Sequence, residues 1–223
     1  MRRCATSGGR EAPIAVPGSR TRLLLSACAL LLSSSLPAAG LAPETPSGDL
    51  VRLDAARSEV GFRVKVMWLL GVRGHFGRID GSVRTDPFRN QLRVDARIDV
   101  ANVRMGSRSY EDWVKSEEFF DVQAHPQITF TSEPFPRARL RAGGDLPGEL
   151  TVRGIRQPVR FDLLPSSCER PAFDCPIRVN GEIRRSMFGM GSHRGTLADK
   201  VELDFAVYAV PPERGTTAPP TPG

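Results

Sequence analysis

Between Ser58 and Phe76 the chain reads SEVGFRVKVMWLLGVRGHF, and its first half alternates strictly. Val60, Phe62, Val64 and Val66 fall on one side; Glu59, Gly61, Arg63 and Lys65 fall on the other. A period of two puts successive side chains on opposite faces of a strand, so this stretch predicts a β-strand with one dry and one wet face. The alternation then gives way to Met67, Trp68, Leu69 and Leu70, closed by Gly71. An apolar run of this kind is rarely exposed without a function. The strand is expected to line an apolar cavity, with the run at its mouth.

The same period recurs down the chain. Leu92, Val94, Ala96, Ile98 and Val100 alternate with charged residues, and shorter alternating runs cover 127–132, 148–153, 158–164, 177–183 and 201–207. Residues 137–142 alternate weakly. One segment departs from this pattern: Ser107–Asp121 places Tyr110, Trp113 and Val114 at helical spacing, with Ser109 and Asp112 in the order of a capping box. Many short, evenly punctuated strands without strand–helix alternation predict an all-β fold, an antiparallel barrel or a two-sheet sandwich. A barrel of about eight strands either fills with side chains or holds one small ligand.

The formal net charge of +6 would suit a nucleic-acid binder, but its position argues otherwise. Residues 1–42 carry five Arg and one Glu; the remainder holds 26 basic and 24 acidic residues, interspersed as on a solvated surface. Nucleic acid is therefore not an expected partner. Residues 1–42 read as a secretory signal with an N-terminal extension: Arg20 and Arg22, the apolar run Leu23–Leu32, then small residues around Ala38 and Ala39. The expected location is the periplasm. A second reading, a lipoprotein anchored at Cys28, rests on Leu25-Ser26-Ala27-Cys28. Beyond the leader only Cys168 and Cys175 remain, which in an oxidising compartment predicts one disulfide. Residues 43–210 form the expected domain. Residues 211–223, rich in Pro and Thr, have no apolar face to bury and are expected to be disordered.

No nucleophile elbow, phosphate loop or zinc-protease motif is present, so the reading is not an enzyme. His75, His125 and His193 lie beside Gly, Pro or Ser, without Cys or carboxylate at ligand spacing, and read as turn or mouth residues rather than metal ligands. Glu117 and Glu118 read as a wet helix face. The stronger signal is apolar. Phe62, Trp68, Phe76, Phe130, Phe161, Phe188 and Phe205 are spread over different strands, with Met67, Met105, Met187 and Met190 beside them. Such residues line a tunnel or simply fill a core; the pattern alone leaves both open.

Five segments decide further. SEVGFRVKVMWLLGVRGHFGRIDGSV, VDARIDVANVRMGSRSYEDWVKSEEFFDVQAHPQITFTS, GELTVRGIRQPVRFDL, GEIRRSMFGM and VELDFAVYAV follow one another in order. With these the chain resembles the YceI family of bacterial exported proteins over roughly Leu50 to Val210. The resemblance implies a lipocalin-like antiparallel β-barrel of about eight strands with one short helix. It implies non-catalytic binding of a long isoprenoid, polyprenyl or quinone-type, with no cofactor. Carried over to matched strands, the ligand-binding residues are Phe62, Val64, Val66, Phe76, Ile98, Phe130, Phe161, Phe188 and Phe205, with Met67, Trp68 and Leu70 at the mouth. The Met67–Leu70 run is bulkier than the family pattern, and Asp112-Trp113-Val114-Lys115-Ser116 lacks the family's His. The alternative function is a stress-related scaffold docking on an inner-membrane protein through the lip near Trp68. Self-association into a homodimer is left open.

Overall fold

The structure is a computed structural model and describes residues 49–67 and 69–211. The leader, Cys28, Trp68 and the tail from 212 lie outside the described residues. Twelve strands run in chain order: β1 (Leu50–Arg52), β2 (Glu59–Val66), β3 (Leu70–Phe76), β4 (Ile79–Asp86), β5 (Gln91–Asp99), β6 (Val103–Met105), β7 (Gln127–Ser132), β8 (Phe135–Pro136), β9 (Gly144–Val152), β10 (Ile155–Leu163), β11 (Ile177–Arg184) and β12 (Leu197–Val207). Two helices interrupt them, α1 (Arg108–Lys115) and α2 (Arg139–Ala142). All strand pairs are antiparallel, in the order β1-β4-β5-β7-β9-β10-β11-β12-β2-β3-β6, with β8 beside β5. The all-β barrel class is as expected. The strand number exceeds eight largely because β1, β6 and β8 are fragments of two or three residues.

What closes the sheet is a single bent run. β3 and β4 are separated only by Gly77 and Arg78; β3 pairs with β2 from Val66↔Leu70 to Val60↔Phe76, and β4 pairs with β5 from Ile79↔Ile98 to Asp86↔Gln91. One stretch of chain thus spans the two flanks of the curled sheet. Near Ala209 the flanks are joined again: Leu53 bridges Ala209, and Val210 N–H donates to Arg52 O at 2.9 Å.

Pro158 lies inside β10, where a missing N–H would normally break a ladder. It is tolerated because β10 pairs with β11 only at Asp162↔Asn180 and Leu163↔Val179, leaving its earlier residues with one partner strand, β9. The hairpin expected around Gly154 is β9–β10, with Arg153 and Gly154 both at positive φ, 52° and 70°.

α1 begins at Ser107, not at a Ser109–Asp112 box; Glu111 Oε1 accepts from Met105 N–H at 3.0 Å and ties the helix to β6. Residues 139–142, inside the weakly alternating stretch, form a one-turn helix. Arg, Leu and Ala are good helix formers, and the turn ends at Gly143 (φ 76°), whose N–H reaches Arg139 O at 2.8 Å. Among the described residues, no helix is long and apolar enough to cross a membrane.

The barrel has two unlike ends. At the α1 end lie α1, the β2–β3 turn, the β9–β10 turn and the β11–β12 loop. At the α2 end lie the β4–β5 turn, α2 and the β10–β11 loop, closed by a Cys168–Cys175 disulfide with Cα atoms 6.3 Å apart. That loop is pinned to the closing edge, since Ala209 N–H donates to Ala172 O at 2.8 Å.

Candidate functional site

Inside the barrel is a cavity of about 340 Å³. That is within the range of small-ligand pockets. It is open because of how its aromatic rings lie. Phe62 stands opposite Gly74, and a Cβ on that glycine would meet Phe62 Cζ at 2.3 Å. A Cβ on Gly181 would meet Phe161 at 2.2 Å, and one on Gly148 would meet Phe130 at 2.7 Å. Each ring therefore occupies the space above a glycine in the wall, where a side chain would otherwise stand. Two aromatic groups result. Phe62 and Phe76 have centroids 5.5 Å apart, with Phe120 5.8 Å beyond Phe76. Phe130, Phe161 and Phe205 follow at 5.2 and 5.4 Å.

Phe62, Val64, Val66, Phe76, Ile98, Phe130, Phe161 and Phe205 all line this cavity. Three others do not. Phe188 is buried but lies outside the lining. The inward residues of β11 are the odd-numbered Ile177, Val179 and Ile183, so Phe188 is off that parity, and it lies past the end of β11 at Arg184, in the 3₁₀ turn Arg185–Phe188. Met67 and Leu70 stand on the outer lip of the β2–β3 turn, 62% and 65% exposed, beside Leu69 at 89%. Cavity lining was also contributed where no site residue was expected. Trp113, Phe119 and Phe120 come from α1 and the segment after it, and Leu140 and Phe173 come from the α2 end. The helical spacing of Trp113 and Val114 was a visible signal for the first group; nothing local marked the second.

Polar groups in the lining are few: Thr85, Tyr110, Trp113, Arg137, Arg185 and Thr196. Among the described residues, the lining contains no carboxylate and no His. Arg185, 3% exposed, is held by three backbone carbonyls: its Nε donates to Ala198 O at 3.0 Å, Nη2 to Leu197 O at 3.0 Å, and Nη1 to Met190 O. Burial pushes this guanidinium below its usual value, opposed by the Asp199 carboxylate. Burial pushes Asp199 up, but Ser186 Oγ–H and N–H, at 2.8 and 2.9 Å, together with Arg185 and Arg194, outweigh it and hold the carboxyl low.

A second polar cluster rims the α1 end. Trp113 Nε1–H donates to Glu118 Oε2 at 2.9 Å, and His193 Nε2 lies 2.5 Å from Glu118 Oε1. The Trp113 and His193 rings meet edge-on at 5.4 Å. The Trp113 hydrogen bond first, and His193 next, hold the Glu118 carboxyl below its ordinary value. Glu118 is thus a latch between the α1 segment and the β11–β12 loop, not a plain wet-face residue. Its two partners lie far apart in sequence, so spacing could not reveal it. Among the described residues, no group of three or more His, Cys, Asp or Glu is placed to hold a metal.

A family model described as a YceI-like domain matches residues 52–209. The chain belongs to the YceI-like family. Among its curated relatives, a UPF0312 protein of Pectobacterium carotovorum is 27% identical over 158 residues, covering 68% of this chain and 80% of the relative. A UPF0312 protein of Staphylococcus aureus is 25% identical, covering 61% and 80%. Among solved structures, BcnA of Burkholderia cenocepacia matches with a TM-score of 0.58 at 25% identity, over 70% of this chain and 98% of that one. A polyisoprenoid binding domain from Saccharophagus degradans matches with a TM-score of 0.57 at 15% identity, over 73% and 98%. The YceI-like barrel is thus shared in fold with a domain described by what it binds.

Proposed function

We propose that this YceI-like protein binds a long isoprenoid lipid, polyprenyl or quinone-type, in its barrel and carries it in the periplasm without catalysis. The observation that carries this reading is the cavity: continuous, walled by aliphatic and aromatic side chains, and, among the described residues, free of carboxylate or His along its lining. Such a wall offers little to a polar substrate and much to a hydrocarbon. At about 0.8 kcal/mol per buried CH₂, three isoprene units reach roughly 10 kcal/mol before ordering costs are subtracted. The fold shared with a polyisoprenoid binding domain supports the same ligand class, and the Cys168–Cys175 disulfide supports an oxidising compartment. Native mass spectrometry of protein purified from the periplasm is expected to show a co-purified hydrophobic ligand that denaturation releases. A uniformly empty protein that also refuses added isoprenoid overturns the reading. Phe62→Asp or Phe205→Asp is expected to abolish retention, whereas Arg63→Asp, on the wet face of β2, leaves most of it.

A second reading rests on the lip. Met67, Leu69 and Leu70 are large, apolar and exposed, and such a patch suits docking on an inner-membrane protein. Crosslinking in the periplasm that is lost on Leu69→Glu with Leu70→Glu is its expected signature.

A further inference from the structure

The cavity carries one cation toward each end, and the two are not equivalent. Arg185 has its donors committed to three carbonyls. Arg137 lines the cavity at the α2 end, is exposed, and has no side-chain hydrogen bond or ion pair among the described residues. It also lines an adjoining pocket that shares Leu140, Pro171 and Phe173 with the main cavity and adds Arg141 and Arg170. The apolar wall thus runs without a break into a rim of three guanidinium groups.

The rim is built, not incidental. α2 is held to the disulfide loop by Ser166 N–H donating to Arg141 O at 3.1 Å, and by Arg141 Nη2 donating to Glu169 O. Arg170 is held by both oxygens of Asp174, at 2.7 and 3.2 Å, with Glu169 close by. Those two carboxylates offset part of the charge, and the rim stays net basic because, among the described residues, Arg137 and Arg141 form no ion pair. Asp145 and Asp86, also on this side, are paired with Arg160 and Arg89.

We infer that the α2 end is a headgroup site, and that this protein selects an isoprenoid ending in a phosphate over a neutral isoprenoid alcohol or quinone. This inference rests on the isoprenoid reading above and names the ligand's polar end. Guanidinium matches phosphate through two parallel N–H···O bonds, and such charge-assisted bonds are about twice as strong as neutral ones. A hydroxyl or quinone oxygen would leave Arg137 without a charged partner. The arrangement orients the ligand: tail toward α1, phosphate at α2.

The test compares geranylgeranyl phosphate with geranylgeraniol, and inorganic phosphate alone, by calorimetric titration of the full-length protein freed of lipid. The phosphate ester is expected to bind about tenfold or more tightly than the alcohol, the difference shrinking as salt rises. Arg137→Gln, and separately Arg141→Gln, should reduce affinity for the ester more than for the alcohol. Inorganic phosphate alone should bind far more weakly than the ester. Equal affinity of ester and alcohol overturns the headgroup site while leaving the isoprenoid reading intact; so does inorganic phosphate binding as tightly as the ester. Failure of both lipids to bind removes the isoprenoid reading, and the headgroup site with it.

Discussion

The two ends of the barrel solve the same problem with opposite chemistry. At the α1 end, charge is turned inward and satisfied: Arg185 by three carbonyls and Asp199, Glu118 by Trp113 and His193. The β2–β3 lip of that end is apolar and exposed, Met67, Leu69 and Leu70, and it stands among solvated charges such as Asp112, Glu117 and Arg194. At the α2 end, charge is turned outward: Arg137, Arg141 and Arg170 rim the opening, while the chain behind them is stapled by a disulfide. The difference teaches which end is a plug and which can meet a polar group. A buried cation held by three carbonyls is structural; one that has no partner among the described residues, beside an apolar tunnel, is available.

The largest test of this contrast is Arg185→Met against Arg137→Met. Removing the Arg185 guanidinium strands the Leu197, Met190 and Ala198 carbonyls and leaves Asp199 facing fewer cations. A buried polar network broken on one side costs about 3 kcal/mol. Arg137 is exposed and has no side-chain partner among the described residues, so its replacement should stay within about 0.5 kcal/mol. Urea unfolding of the two variants measures the difference. Equal destabilisation would make both ends structural and end the comparison.

Much of this was legible in the residues, and the limit is physical. Period two exposed the inward faces of β2, β5 and β12, because a strand's pleat allows only two sides. It therefore found Phe62, Ile98 and Phe205. Phe188 is carried over from the family resemblance and not from the period, and it sits in the 3₁₀ turn past the end of β11, outside the lining. The period could not separate a tunnel from a filled core. That distinction depends on Gly74, Gly148 and Gly181 standing under aromatic rings of neighbouring strands, which is a matter of register and not of any one segment. Nor could it pair Glu118 with His193, or tell a committed arginine from a free one.

A middle-sized effect is expected at the α2 end. The Cys168–Cys175 bond closes a loop with a sequence separation of 7. Loop-closure entropy for so short a loop gives about 2 kcal/mol. The double replacement Cys168→Ser with Cys175→Ser should lower stability by that amount, with faster hydrogen exchange near α2 and the 166–175 loop and little change around α1. Exchange rising equally at both ends would show that the two ends open as one unit. At the opposite lip, Leu69→Glu should leave stability within about 0.5 kcal/mol, because an 89% exposed side chain has little burial to lose. A large loss would mean the lip is packed in solution.

The smallest effect is a pH dependence confined to the α1 end. Glu118 titrates below its ordinary value of 4.5, chiefly because Trp113 N–H bonds its charged form and then because His193 does. The folded chain thus holds this proton less tightly than the unfolded chain. The carboxylate's contribution is complete above the ordinary value and is lost as pH falls through the lower folded value. Wild type should therefore lose more stability on acidification through that range than Glu118→Gln, the two converging at its acid end. Following the Glu118 carboxyl by NMR, Trp113→Phe should raise its midpoint more than His193→Asn, since the indole is the larger cause. The reverse order would make the latch an ion pair first, and the α1 end would then be closed by charge, as the α2 end is lined by it.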